Sequence, residues 1–414
     1  MPASPRLSRP EALEQTTPPD TPAAGEASAP NGRRLRGLVR YFFGLGSWGF
    51  GGPIALAGYM HRDLVVARRW FTEDEYQQGL AISQAMPGPL AAQLAMWLGY
   101  LERGWLGALA VSLPFVVPPF LIVTTIAVLY AEYQGLSVVQ DLFFGIAPAV
   151  LAIIAIASYK LARATNKADP ILWVIAAVQA VVTVIAGAEL VWPFLAAAVF
   201  GAIYYGGGLP RPSRQASSVS LLPLIAAVKG FAWIGSGASL GAMSLFFLQA
   251  SAFTFGSGLA IVPFLHAGLV EDFGWLTEQQ FVDAVAMGLI TPGPVVIMAT
   301  FGGYLVHGVL GAVIATVAVF VPVYLFVVVP GRLFRRYERH PRLMGFVKGA
   351  TAAAAGAIAG AAIVIARQTV SGWLPLVIGL VALAVLVQPK IRIPEPAVVV
   401  LAAAAGLLLH GFAD

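Results

Sequence analysis

From about residue 38 to the C-terminus, apolar runs follow one another with short breaks: 105–130, 142–159, 171–186, 190–205, 309–329, 346–366, 373–387 and 396–409. A helix needs about 20 apolar residues to cross a bilayer, fewer where neighbours cover its ends. Lipid supplies no hydrogen bonds, so each crossing segment must satisfy its own backbone. The expected fold is therefore an all-α polytopic membrane protein. Hydrophobic residues make up 58% of the chain and charged residues 11%, with a mean hydropathy of +0.81. Soluble domains hold about 45–50% apolar and about 25% charged residues.

Residues 1–32 are rich in Pro, Ala, Ser and Thr and poor in large apolar side chains, which predicts a disordered cytoplasmic tail with no secretory signal. The chain has no cysteine, which excludes disulfides and thiolate metal sites. Five scattered histidines form no metal-binding pattern, so neither a metal nor a cofactor is expected. The net charge of +5 comes from loop residues that orient the chain in the lipid bilayer, and implies no nucleic-acid partner.

The chain repeats itself. "MPGPLAAQ" (86–93) is answered by "TPGPVVIM" (291–298), and Phe50–Gly52 by Phe255–Ser257, both at an offset of 205. Trp70, Thr72 and Glu73 match Trp275, Thr277 and Glu278, and His61 matches His266. Further on, Pro118, Arg163 and Thr165 match Pro322, Arg367 and Thr369 at offset 204. A register held this long indicates two homologous halves. Cytoplasmic loops collect Lys and Arg, and equivalent loops of the two halves carry opposite bias. "HRDLVVARRW" has three arginines and "HAGLVEDFGW" none, whereas "AEYQGLSVVQD" has none and "GRLFRRYERHPR" five. The halves are expected to be inverted, spanning 33–209 and 239–414. A linker and connecting helix at 210–238 would join them. Each half would hold glycine/proline-broken helices or re-entrant hairpins plus about four full spans.

Irregular backbone at membrane depth survives only where protein buries it or water lines it. Interrupted helices in inverted repeats mark the sites of secondary transporters. A helix start exposes unpaired amides and a partial positive charge. Pro89 and Pro294 suit first helical positions, leaving the amides of Leu90, Ala91 and Ala92, and of Val295, Val296 and Ile297, toward the breaks. Gly51, Gly52 and Gly256 allow close backbone approach to a ligand. Four breaks can thus build one oxyanion site; carbonyl ends at the same breaks leave a cation open, and small residues also serve plain helix packing.

Gln84 and Gln93 flank the first PGP and could donate to an oxyanion; Leu289 and Met298 replace them in half two. Lys229, midway along 221–235, reads equally as an anion contact or a snorkelling side chain. Lys348 lies within snorkelling reach of the cytoplasm, with anion contact as its alternative. His61 and His266 are candidates for proton coupling or interfacial residues. Two enzyme-like matches, "GLGSWG" (44–49) and "GASLG" (237–241), lack the strand that either motif requires. No enzyme is expected; one would need Ser239 bonded to a histidine.

"SWGFGGP", "WFTEDEY" and "QAMPGPLAAQLAMWLGY", with the weaker second copies "TFGSG" and "ITPGP", together resemble the chromate ion transporter family in its long, two-domain form. The resemblance covers about residues 36 to 410. It implies a multi-pass inner-membrane protein, N-terminus cytoplasmic, that exports chromate, with sulfate as the look-alike anion. It also implies proton motive force as the driving force and chromate resistance as the outcome; a homodimer is compatible with it. The motif positions it marks are Phe50, Gly51, Gly52, Pro53, Pro87, Gly88 and Pro89. In half two they are Phe255, Gly256, Pro292, Gly293 and Pro294, beside Thr291, with Ser257 and Gly258 replacing Gly52 and Pro53.

Overall fold

The computed structural model describes residues 31–50, 52–133, 136–186, 191–207, 239–254, 258–330, 340–370, 372–388 and 393–409. The expected tail, the connecting helix with Lys229, and Gly51, Phe255, Gly256 and Ser257 lie outside the described residues. Among the described residues every regular element is helical.

The chain begins with a helical hairpin. α1 (Asn31–Trp48) is followed by α2 (Gly52–Met60), which continues into a π-helical stretch, His61–Ala67. Tyr41 donates a hydrogen bond to Asp63 at 3.3 Å, and a Cβ on Gly37 would lie 2.5 Å from the Trp70 ring. Residues far from the turn thus touch, so the arms are antiparallel and the tip lies between α1 and α2. A second hairpin follows, from α3 (Glu73–Ala85) into α4 (Leu90–Tyr133). Thr72 starts α3 with a reciprocal cap, accepting from the Glu75 amide while the Glu75 carboxylate accepts from the Thr72 amide. The Trp97 indole donates to the Glu75 carbonyl at 3.1 Å, which sets these arms side by side with a tip at 86–89.

α4 itself reverses. Arg103 and Gly104 leave helical geometry, Gly104 with φ +58°. A Cβ on Gly99 would meet the Gly107 carbonyl oxygen at 2.4 Å. Residues eight apart in a straight helix are about 12 Å apart, so residues 90–102 fold back against 105–133. Half two repeats this plan. α8 (Leu240–Ala252) pairs with Gly258–Ile261, α9 (Val262–His266) and the π-helical Ala267–Asp272. α10 (Glu278–Ile290), begun by the matching Thr277–Gln280 cap, pairs with the start of α11 (Met298–Val328). α11 reverses at His307–Gly308, where Gly303 meets Gly311.

Outside the hairpins lie α5 (Ser137–Asn166), α6 (Pro170–Ala186), α7 (Val191–Tyr205), α12 (Pro341–Thr369), α13 (Trp373–Val387) and α14 (Glu395–Leu409). Six of the eight apolar runs fall wholly within helices, and the other two are helical over 191–205 and 309–328. By length and composition, four helical segments could cross a membrane: 90–133, 137–166, 295–328 and 341–368. α6, α7, α13 and α14 have 15 to 17 residues, short of a hydrocarbon core of about 30 Å. The count of full spans per half is therefore lower than the run pattern suggests.

The halves interlock. α12, of half two, packs on α6 and α7 of half one; α5, of half one, packs on α13 and α14 of half two. Small residues permit both. A Cβ on Gly349 would lie 2.2 Å from the Ala197 carbonyl oxygen, one on Gly356 2.1 Å from that of Ala176, and one on Gly145 1.9 Å from that of Ala402. Backbones this close gain dispersion contacts that larger side chains would prevent, which is how helices associate without water to drive them.

Candidate functional site

The hairpin tips meet, and they meet reciprocally. The Gly88 amide, in the first PGP, donates to the Thr254 carbonyl at 2.5 Å; the Gly293 amide, in the second, donates to the Gly49 carbonyl at 3.0 Å. Gly88 and Gly293 are repeat equivalents, as are Gly49 and Thr254. Each half's PGP turn thus leans on the other half's first tip. Both glycines sit in the left-handed region, φ +134° and +95°, where other residues are strained.

The turns are braced locally. Gln93, fully buried, donates from Nε2 to the Pro87 carbonyl at 2.6 Å, while its Oε1 has no partner among the described residues. Thr291, also buried, donates to the Met287 carbonyl at 2.6 Å. Thr254 donates to the Ala250 carbonyl. Gly258 lies between the tips: a Cβ there would stand 3.5 Å from Val295 Cβ, 3.7 Å from Val296 Cγ1 and 3.8 Å from Pro89 Cβ.

The free amides are fewer than the sequence suggests. Ala92 and Ile297 donate to the carbonyls of Pro89 and Pro294, tightening the first turn of each helix. The amides of Leu90, Ala91, Val295 and Val296 have no backbone acceptor among the described residues, and all four residues are buried. Buried amides need a partner. Helix starts that meet in a water-poor interior can in principle hold a compact anion that accepts from several directions.

Other expected residues sit elsewhere. Gln84 is exposed, and Gln93 gives one amide hydrogen to the Pro87 carbonyl of its own turn. Phe50, Gly52 and Pro53 are partly exposed, and a Cβ on Gly52 would lie 3.9 Å from Glu395, which faces Lys160 at 3.8 Å. Pro87 is partly exposed; Pro89, Pro292 and Pro294 are buried. Lys348 is exposed and lies over the Tyr205 ring, 4.9 Å from its centroid. The Tyr205 hydroxyl donates to Asp169 in the loop before α6, which holds that carboxyl below the usual range. Lys348 is thus part of a partly exposed cluster with Tyr205 and Asp169.

The histidines stand about nine residues up the return arms from the tips. His61 contacts Glu73 at 2.8 Å, and buried His266 contacts Glu278 at 2.9 Å and Glu271 at 3.4 Å. Ser239 caps α8, accepting from the Ala242 amide at 3.1 Å, with no histidine bonded to it among the described residues. One group escaped sequence reasoning. Asp283, 1% exposed, accepts from Tyr130 at 2.7 Å and from Gln279 at 2.8 Å. Its signal was present: an aspartate inside the apolar run "FVDAVAMGLI".

No solved structure matches the chain. The chain is 46% identical over 400 residues to the chromate transport protein of Cupriavidus metallidurans, covering 96% of this chain and 99% of that one. It is 47% identical over 381 residues to a protein of Synechococcus elongatus named "Probable chromate transport protein", covering 90% and 95% of the two chains. The chromate transport protein of Pseudomonas aeruginosa is 31% identical over 351 residues, 82% of each chain. The family model described as chromate transporter matches twice, at residues 36–202 and 241–407, the two matches starting 205 residues apart. With the repeat, the apolar helices and both PGP turns accounted for by those two matches, the chain belongs to the chromate transporter family.

Proposed function

We propose that this chain exports a tetrahedral divalent oxyanion, chromate foremost, from the cytoplasm across the inner membrane, at a site formed by the meeting hairpin tips. It is a membrane protein whose relatives are transporters, not enzymes. The observation that carries the proposal is the reciprocal pair Gly88–Thr254 and Gly293–Gly49, beside four buried amides that have no backbone acceptor among the described residues. A doubly charged oxyanion presents acceptors in every direction, so amides from opposed helix starts replace its hydration shell. Gly88, Pro89, Gly258 and Thr291 to Pro294 form the lining in this reading.

Reciprocal contact supports a two-fold relation between the halves, and the opposite charge bias of equivalent loops favours inversion. Basic residues at the base of the first hairpin, Arg34, Arg62 and Arg68, favour a cytoplasmic face there and a cytoplasmic N-terminus. The second half's equivalent base is acidic, with Glu271, Asp272 and Glu278, which favours the opposite face. The hairpins then re-enter from opposite sides, and access alternates about the tips. The membrane potential alone drives export, by about 2.3 kcal/mol per charge per 100 mV. Uniport is therefore sufficient; His61 and His266, paired with carboxylates, offer proton sites for a coupled mode.

Chromate flux into inverted vesicles tests this. Uptake should rise with an imposed inside-positive potential and be inhibited by sulfate and molybdate, which share shape and charge. Absence of chromate uptake at any potential would refute the proposal.

A further inference from the structure

Asp283 is a carboxylate at the seam between the halves. It sits midway along α10, the helix that ends at the second PGP turn, seven residues and about 10 Å of helix before Ile290. Its two oxygens accept from one donor on each side: Tyr130, near the end of α4 in half one, and Gln279, one turn back on α10. Aromatic rings close the surroundings, with Phe143 and Phe301 packed edge-on against Tyr130 at centroid distances of 5.4 and 5.1 Å. Among the described residues no Lys, Arg or His pairs with it. The ionisable groups on the neighbouring elements are engaged elsewhere or stand near helix ends. On α9 and the π-helical stretch after it, His266 holds Glu271 and Glu278. On α14, Glu395 faces Lys160 of α5. Asp141 lies in the first turns of α5, and Arg367 in the last turn of α12. Among the described ionisable residues, Tyr130 alone hydrogen-bonds Asp283 from another element.

A buried carboxylate with two neutral donors and no counter-charge has two tenable states. The charged state satisfies both donors, and the neutral state removes a charge from a low-dielectric seam. Half one carries Gln78 at the equivalent position, so the repeat does not require an acid there. A negative charge on α10 also opposes a dianion at the tip of the same helix. Proton and anion therefore help each other bind, and such coupling is necessarily mutual.

We propose that Asp283 is the proton-binding group whose occupancy is linked to chromate occupancy at the tips. Here an O–H bond forms at Asp283 when a proton enters from one aqueous side, and the same bond breaks when that proton leaves to the other; no electrons move. The inference rests on the tip site proposed above.

The test uses the full chain in proteoliposomes, with chromate as the probe and an internal pH dye. Wild type should show chromate-dependent proton movement and flux that varies with pH. Asp283→Asn, a fixed neutral mimic, should lose chromate-dependent proton movement and give flux that is flat with pH, while chromate–chromate exchange falls only about twofold. Asp283→Glu should restore the pH dependence. Tyr130→Phe removes one donor from the charged form and should move the pH midpoint upward by about one unit, which decides the matter if Asp283→Asn fails to reach the membrane. Unchanged proton movement in Asp283→Asn, or loss of exchange at normal abundance, overturns the proposal and leaves the tip site intact. A wild type that moves no chromate at all defeats the tip site, and this inference with it.

Discussion

Replacing Gly258 by Ala separates the anion site from the stability of the fold. The added methyl would meet nothing closer than 3.5 Å, ordinary van der Waals contact, and Gly258 is not among the glycines with positive φ. The folded state therefore accepts it, and the smaller entropy of the unfolded chain adds about 0.4–1 kcal/mol of stability. The same methyl stands beside Val295 and Val296 and Pro89, in the space between two opposed helix starts. Carbon excludes an anion oxygen from that spot, so about one charge-assisted hydrogen bond is lost, worth roughly 1.5–3 kcal/mol. The half-saturating chromate concentration should then rise roughly 10- to 100-fold. Gly241→Ala, on α8 with nothing within 4 Å of its Cβ, serves as the control and should transport normally. Flux into inverted vesicles, beside detergent melting curves of the purified variants, gives both readouts. Unchanged half-saturation in Gly258→Ala, with melting also unchanged, would refute the placement of the anion between the tips.

Gly88→Ala should act on folding first. At φ +134° a Cβ would meet Gln93 Nε2 at 2.7 Å, and strain with repacking costs about 1–3 kcal/mol, read as a lower melting temperature. His266→Ala should destabilise by about 1–3 kcal/mol, since it leaves Glu271 and Glu278 without their buried partner. His61→Ala should lower the melting temperature less than His266→Ala, because the His61–Glu73 pair is more exposed. Equal melting shifts for the two histidine variants would contradict that contrast.

Much of this arrangement was legible because the repeat is local in sequence. Glycines and prolines placed 205 residues apart mark the tips, and Thr72 and Thr277 mark the helix starts that follow each first hairpin. The sequence left the motif segments as broken helices or hairpins, and the Tyr41–Asp63 contact brings the arms on either side of the first motif together. The reversals at Gly104 and Gly308 were not legible. The apolar runs resume directly after Glu102-Arg103-Gly104 and His307-Gly308, but the positive φ that turns the chain back on itself there is invisible in composition. Nor does hydropathy say which apolar helix meets which. The exchange of α5 and α12 between halves depends on single glycines fitting against distant carbonyls. Nor does the sequence show that the Gln93 amide group reaches the Pro87 carbonyl of its own turn.

The interlocking of the halves constrains how access can alternate. Rocking two repeats as rigid bodies would separate α12 from α6 and α7, and α5 from α13 and α14. Those contacts have carbonyls set against glycines with no room for slip. The tips, by contrast, are joined by single backbone bonds at Gly88 and Gly293, each worth about 1 kcal/mol net. The weaker joint should move, so the hypothesis is that the hairpins swing while the crossed long helices stay fixed. Ser158 on α5 donates to the Ala355 carbonyl on α12 at 2.9 Å, which brings the two central helices within reach of a bridge. The chain has no cysteine of its own, so Ser158→Cys with Ala355→Cys gives one defined cross-link. Oxidation of that pair should leave chromate flux within about twofold of the reduced form. If oxidation stops transport and reduction restores it, the long helices must separate during the cycle, and a scaffold fixed around moving hairpins is wrong.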